Sequence, residues 1–159
     1  MDEELRQAFL DTTYGTLEVR LKLKAEPDPQ LAWPPTLPGQ RWAILTAWNP
    51  DGTQKAAEVN DGQQQRLTDR LHRDGWPTLP GHNGEGEWLE PTVIVPGLPL
   101  WRAVQLGRQF RQAAVLWGMG RRAALVWCRQ NGEPLMPVEL ERLWLGRAAI
   151  LPGDDRPHR

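Results

Sequence analysis

Apolar positions along the chain follow distinct spacings. Leu17, Val19, Leu21 and Leu23 alternate with Glu18, Arg20, Lys22 and Lys24. That period of two predicts a strand buried on one face and wet on the other, as at a sheet edge. Between Arg41 and Pro50 the alternation sorts two uncharged sets, a small one (Ala43, Leu45, Ala47) and a larger one (Trp42, Ile44, Thr46, Trp48). This reads as an interior strand covered on both faces and stopped by Asn49-Pro50. Helical spacing appears elsewhere. Leu5 and Phe9 lie four apart in residues 2–10. Leu67 and Leu71 share a face with Gln64 and Asn60 in a polar helix that starts near Glu58, runs to about Asp74 and is closed by Gly75. Ala103, Leu106, Gly107, Phe110, Ala113, Ala114 and Trp117 give a wide apolar face to a helix expected over 99–117. Trp88 to Val95 and Arg122 to Cys128 are further apolar strands, and 76–82 is a weaker one. Pro91 predicts a bulge or a late start at Thr92. After a turn at Asn131-Gly132, Leu140, Leu143 and Trp144 predict a last helix over 137–145.

Five prolines (27, 29, 34, 35, 38) make residues 25–40 an extended connector that lies over the surface through Trp33. The remaining order, strand 41–48, helix 57–74, strand 76–82, strand 88–95, helix 99–117, strand 122–128, predicts an α+β fold. Its architecture is a ferredoxin-like βαββαβ sandwich, with two helices on one face of an antiparallel-rich sheet. An extra N-terminal strand and a C-terminal helix complete it. Residues 1–151 are expected to form one domain and 152–159 a flexible tail.

Composition narrows the function classes. A net charge of −1 exerts no long-range pull on nucleic acid or anionic membrane. Cys128 is the single cysteine, so no disulfide can form within the chain, which fits a cytoplasmic location. The acidic start Met1-Asp-Glu-Glu-Leu5 is not a secretory signal, and no apolar run approaches membrane-spanning length. There is no serine for a nucleophile, no strand-to-helix phosphate loop, and no ligand spacing among His72, His82, His158 and Cys128, so neither metal nor cofactor is expected. Cys128 sits in an apolar strand and reads as an inert core thiol.

The candidates that remain are polar groups at element ends. Asn49 ends the interior strand and Asn60 faces the sheet near the start of the next helix, either as an N-terminal cap or as a ligand contact. Glu90 shares the parity of Trp88, Thr92 and Ile94 in an otherwise uncharged strand, and if buried it needs a partner. His82 with Glu90 could form an acid–base pair, although the glycine-rich loop 81–87 also reads as a solvated connection. Charge is uneven: six arginines (102, 108, 111, 121, 122, 129) and no acid lie between Trp101 and Gly132. Arg102, Arg108 and Arg111 beside Trp42, Trp48, Trp88 and Trp127 on an open sheet face could stack single-stranded nucleic acid. Coverage by the N-terminal segment, or self-association through that face, would bury the same rings.

Thr46-Ala-Trp-Asn-Pro50, Asn60, Leu79-Pro-Gly81, Trp88-Leu-Glu-Pro-Thr92 and Gly107-Arg-Gln-Phe-Arg-Gln-Ala113 occur together in this order. In them the chain resembles a family of small bacterial cytoplasmic proteins, domain of unknown function 3293, over roughly residues 12–128. Arg111 stands where that motif leads one to expect a small residue. The resemblance implies no activity; it implies that Asn49, Asn60, Glu90 and Gln112 are the recurring polar positions. On the expected helix Gln112 would point away from the core stripe, to be a surface contact or to be covered by the N-terminal segment. The reading that follows is a non-catalytic ligand- or partner-binding domain using Asn49, Asn60, Glu90 and Gln112. Nucleic-acid binding and acid–base catalysis are the alternatives.

Overall fold

The computed structural model describes residues 2–128 and 133–148. Along them run α1 (Glu3–Asp11), β1 (Tyr14–Gly15), β2 (Arg20–Lys24), β3 (Arg41–Leu45), α2 (Ala57–Arg73) and β4 (Leu79–Asn83). Then follow β5 (Glu90–Pro96), α3 (Leu100–Gln109), β6 (Ala114–Met119), β7 (Arg122–Trp127) and β8 (Glu139–Arg147). The small set of the interior strand is buried, and of the larger set Trp42 and Ile44 are buried while Thr46 and Trp48 are partly so. Ala43, Leu45 and Ala47 pack with Leu67 and Leu71 of α2 and with Ala103, Val104, Leu106 and Phe110 of α3. Trp42 and Ile44 belong to a second core on the opposite face, with Tyr14, Leu21, Leu31, Trp33, Ile94, Leu116, Leu125, Trp127 and Leu145.

The strands form one antiparallel sheet in the order β1-β2-β8-β7-β6-β3-β5-β4. It winds far enough for its ends to meet. The Gly84 N–H donates to the Thr13 carbonyl at 2.8 Å. The half-exposed Arg20 guanidinium donates to the carbonyls of His82 at 2.9 Å, Gly84 at 2.6 Å and Thr13 at 3.3 Å, so one side chain staples the two edges. The edges approach this closely because Gly81 carries no side chain: a Cβ there would lie 2.5 Å from Thr92 Oγ1 and 3.1 Å from the Gly15 carbonyl. α1 closes the concave face, tethered to β8 by a two-pronged Arg6–Glu141 pair at 2.6 and 2.8 Å.

This nearly closed, mostly-sheet barrel replaces the expected ferredoxin-like sandwich. β3, β5, β4 and β6 are neighbours and α2 and α3 connect them, but the sheet does not stop there. β7, β8, β2 and β1 extend it from β6 round to β4, and a third helix covers the side that a sandwich leaves open. Four local expectations fail with it. The expected helix 99–117 ends at Gln109, and 114–119 is β6. The expected C-terminal helix is β8, because the outer edge of β7 takes a strand partner from Arg122↔Trp144 to Trp127↔Glu139. The N-terminal strand lies inside the sheet, between β1 and β8. Pro91 sits within β5 without a bulge; β3 reaches only as far as Val93 in that register, so no ladder bond to β3 is lost. The Asn131-Gly132 turn, Arg129 and the tail from 152, with His158, lie outside the described residues.

Candidate functional site

The end of β3 is where side chains from distant parts of the chain converge. Asn49 adopts the left-handed region (φ 47°), as asparagine tolerates better than most residues, and so turns its backbone N–H toward α2. That N–H donates to Asn60 Oδ1 at 2.8 Å, and Asn60 Nδ2 returns a bond to Asn49 Oδ1 at 2.8 Å. Asn49 Oδ1 also accepts from Lys55 N–H at 3.0 Å. Asn60 is 1% exposed. It is not the helix cap; Ala56 holds that position, and the amide is committed sideways to Asn49. Asn49 Nδ2 then donates to Glu90 Oε1 at 3.3 Å.

One turn further along α2, Gln64 Oε1 accepts from Ala47 N–H at 2.8 Å and approaches Thr46 Oγ1 at 3.3 Å. Thr46 Oγ1 also donates to the Pro91 carbonyl at 3.0 Å. Gln112 lies beyond α3, so it does not point away from the core as a helical residue would. Its Nε2 donates to the carbonyls of Trp48 at 3.0 Å and Phe110 at 3.2 Å. The structure thus joins Asn49, Asn60 and Glu90 in one hydrogen-bonded chain, and anchors Gln112 to the same strand end.

Glu90 and Gln112 also face a cavity of about 270 Å³ between the concave sheet face and the N-terminal segment. Phe9, Thr12, Tyr14, Ile44, Thr46, Asn83, Trp88, Ala114 and Leu116 complete most of its wall. Burial lifts the Glu90 carboxyl above its ordinary 4.5, with the Asn49 amide opposing. No cation among the described residues pairs with it. Asn83, opposite Glu90 across β4 and β5, keeps a buried Oδ1 without a donor. Thr12, Tyr14, Thr46 and Asn83 were not singled out from sequence. Thr46 shares the parity of Trp42 and Ile44 and is legible on that ground; Asn83 arrives through the β4–β5 pairing, and Thr12 and Tyr14 through the barrel seam.

The proposed His82–Glu90 pair does not form. His82 stands opposite Pro91 and Asn83 opposite Glu90, so His82 and Glu90 project from opposite faces of the ribbon. Nor are the tryptophans arrayed on an open face. Trp42 is covered edge-on by Trp33 at 6.2 Å and Trp127 by Phe9 at 5.7 Å, while Trp88 stands 79% exposed at the cavity rim. The arginines named with them are engaged within the molecule: Arg102 with Asp74 and Gln105, Arg108 with the Glu133 carbonyl, Arg111 with Asp51. Among the described residues no group of three or more histidine, cysteine, aspartate and glutamate side chains is placed to hold a metal ion. No helix there is long and apolar enough to cross a membrane.

Residues 45–115 match the family described as "Protein of unknown function (DUF3293)". The resemblance to that family therefore holds over this span, which is narrower than the sequence motifs suggested and encloses Asn49, Asn60, Glu90 and Gln112. No curated protein and no solved structure matches the chain.

Proposed function

From a chain whose residues 45–115 match this family, we propose a small cytoplasmic domain that binds one small organic molecule without transforming it. The observation that carries the reading is a half-buried carboxylate, Glu90, held by an amide chain at the wall of a 270 Å³ cavity and paired with no cation among the described residues. A buried carboxylate is costly unless a partner meets it, and small barrels commonly take a ligand in the mouth. Binding is favoured over catalysis because the wall offers no second group to exchange protons with Glu90. Tyr14 lines it, but burial raises its phenol well above the usual range and its hydroxyl is spent on the Phe9 carbonyl. The cysteine is likewise no nucleophile: burial pushes Cys128 up to about 12.

The test is ligand-observed NMR with a mixed library of small neutral, anionic and cationic compounds, run on the wild type and on Ala114→Phe. Ala114 is buried on the cavity wall, and a phenyl ring there occupies the space. Hits that vanish in the filled variant support the reading. A library without hits, or hits indifferent to the substitution, removes it.

A further inference from the structure

The cavity wall carries a negative charge and no positive one, and most of its protons are already committed. The exceptions are the Asn83 amide, whose buried Oδ1 has no donor, and the Trp88 indole N–H at the rim. Three hydroxyls line the cavity, and each has one proton to give. Thr12 gives its proton to the Ala8 carbonyl at 2.7 Å, Tyr14 to the Phe9 carbonyl at 2.5 Å, and Thr46 to the Pro91 carbonyl or Gln64 Oε1. Gln112 spends its amide N–H groups on the carbonyls of Trp48 and Phe110, which leaves its Oε1 as the free end. Glu90 is an acceptor whose Oε2 takes no hydrogen bond from the described residues. Lysine, arginine and histidine are absent from the lining. Phe9, Tyr14 and Trp88 supply aromatic surface beside these oxygens.

We infer that the cavity takes an organic cation: a primary or secondary ammonium group that donates to Glu90 and to the spent hydroxyls, with a short apolar body against the aromatic wall. This rests on the cavity being a ligand site and adds the ligand's chemistry. A carboxylate or phosphate ligand would meet lone pairs and a negative charge, with no cation to receive it. A neutral apolar ligand would leave Glu90 without a counter-charge. An ammonium supplies the positive charge that the wall lacks and donors for Glu90 and its neighbouring oxygens, and aromatic faces attract cations at short range.

The experiment is calorimetric titration of the full chain with benzylammonium, benzyl alcohol and benzoate, which share a ring and differ in charge. Benzylammonium is expected to bind most tightly, and Glu90→Gln to weaken it roughly ten- to a hundredfold, the range for loss of one hydrogen bond to a charged group. Ala114→Phe should abolish it. Tighter binding of benzoate or benzyl alcohol, abolished by Ala114→Phe, would overturn the cationic assignment and leave the cavity a ligand site. Silence from all three, or benzylammonium binding that survives Ala114→Phe, would overturn the assignment and the site together. Should Glu90→Gln fail to fold, the ranking of the three probes on the wild type decides alone.

Discussion

Truncating Asn60 tests whether the strand–helix junction is held by its amide chain. Asn60→Ala removes the acceptor of the Asn49 N–H and the reciprocal bond to Asn49 Oδ1, both 2.8 Å, in a residue that is 1% exposed. Asn49 Oδ1 keeps the Lys55 N–H, so that atom is not stranded. The Asn49 N–H is stranded. An orphaned buried donor costs about 1–3 kcal/mol and a lost neutral hydrogen bond about 1 kcal/mol. Asn49 is partly exposed and water can relieve some of the first cost, which places the total at about 2–3 kcal/mol. For a domain of this size that lowers Tm by roughly 5–10 °C. Urea unfolding followed by tryptophan fluorescence reads the same loss as a fall in midpoint with the slope unchanged. Because the bond from Asn60 Nδ2 to Asn49 Oδ1 joins the two side chains, Asn49→Ala and Asn60→Ala should be non-additive, with a coupling of about 1 kcal/mol in a double-mutant cycle. A loss under about 1 kcal/mol, or additive variants, would mean that water substitutes for the amide and that Glu90 is not positioned through α2.

Other outcomes follow from the same geometry. Glu90→Gln should leave the empty protein at least as stable as the wild type at pH 7, since ionising a carboxyl whose folded pKa is raised by burial opposes folding. That advantage belongs above the raised pKa and should fade as acid passes below the ordinary 4.5, where the wild-type carboxyl is protonated in both states; a gap that widens in acid contradicts the burial. Arg111→Gly should change stability by less than about 1 kcal/mol in urea titration, because relief of the left-handed backbone (φ 59°) offsets an exposed pair with Asp51, and a loss beyond that would mean the pair holds the loop. Cys128, pushed to about 12 from an ordinary 9.0 by burial, should react with iodoacetamide at pH 8 roughly a thousandfold more slowly in the native protein than in urea. Mass spectrometry reads this, and equal rates would show an open thiol.

The strand and helix around Asn49 were legible because local pattern and tertiary environment agree there. A run without charge, sorted into two sets by size, needs cover on both faces, and β3 has it. α2 ends where Gly75 adopts φ 86°. The helix expected over 99–117 shows the opposite case. After Phe110 the apolar positions satisfy two periods at once: Ala114 and Trp117 continue the helical stripe, while Ala114 and Leu116 on one face and Val115 on the other alternate as a strand. What breaks the helix is a left-handed turn with two reverse bonds, Arg111 N–H to the Arg108 carbonyl at 3.0 Å and Gln112 N–H to the Gly107 carbonyl at 2.9 Å. Glycine normally announces that turn. Here arginine occupies it, so the punctuation is missing from the sequence. β8 differs from expectation for a related reason: Leu140, Leu143 and Trp144 have helical spacing, and it is the open edges of β7 and β2, both distant in the chain, that select the strand.

For the site, parity placed Glu90 on the same side as Ile94, and the ends of β3 and α2 placed Asn49 and Asn60 near one another. What sequence spacing could not supply is the wall opposite them. Phe9, Thr12 and Tyr14 reach the cavity only because Arg20 and the Gly84 N–H close the sheet on residues far away in the chain. In an open two-layer sandwich Glu90 would face water, its charge would cost little, and the hydroxyls opposite would not exist as a surface. Closure is what converts an ordinary edge carboxylate into a desolvated one with a cavity before it. The chemistry of this site therefore depends on the seam as much as on its polar residues. Weakening the seam should loosen ligand binding before it melts the β3–β5 core, since that core is packed against α2 and α3 on the other face of the sheet.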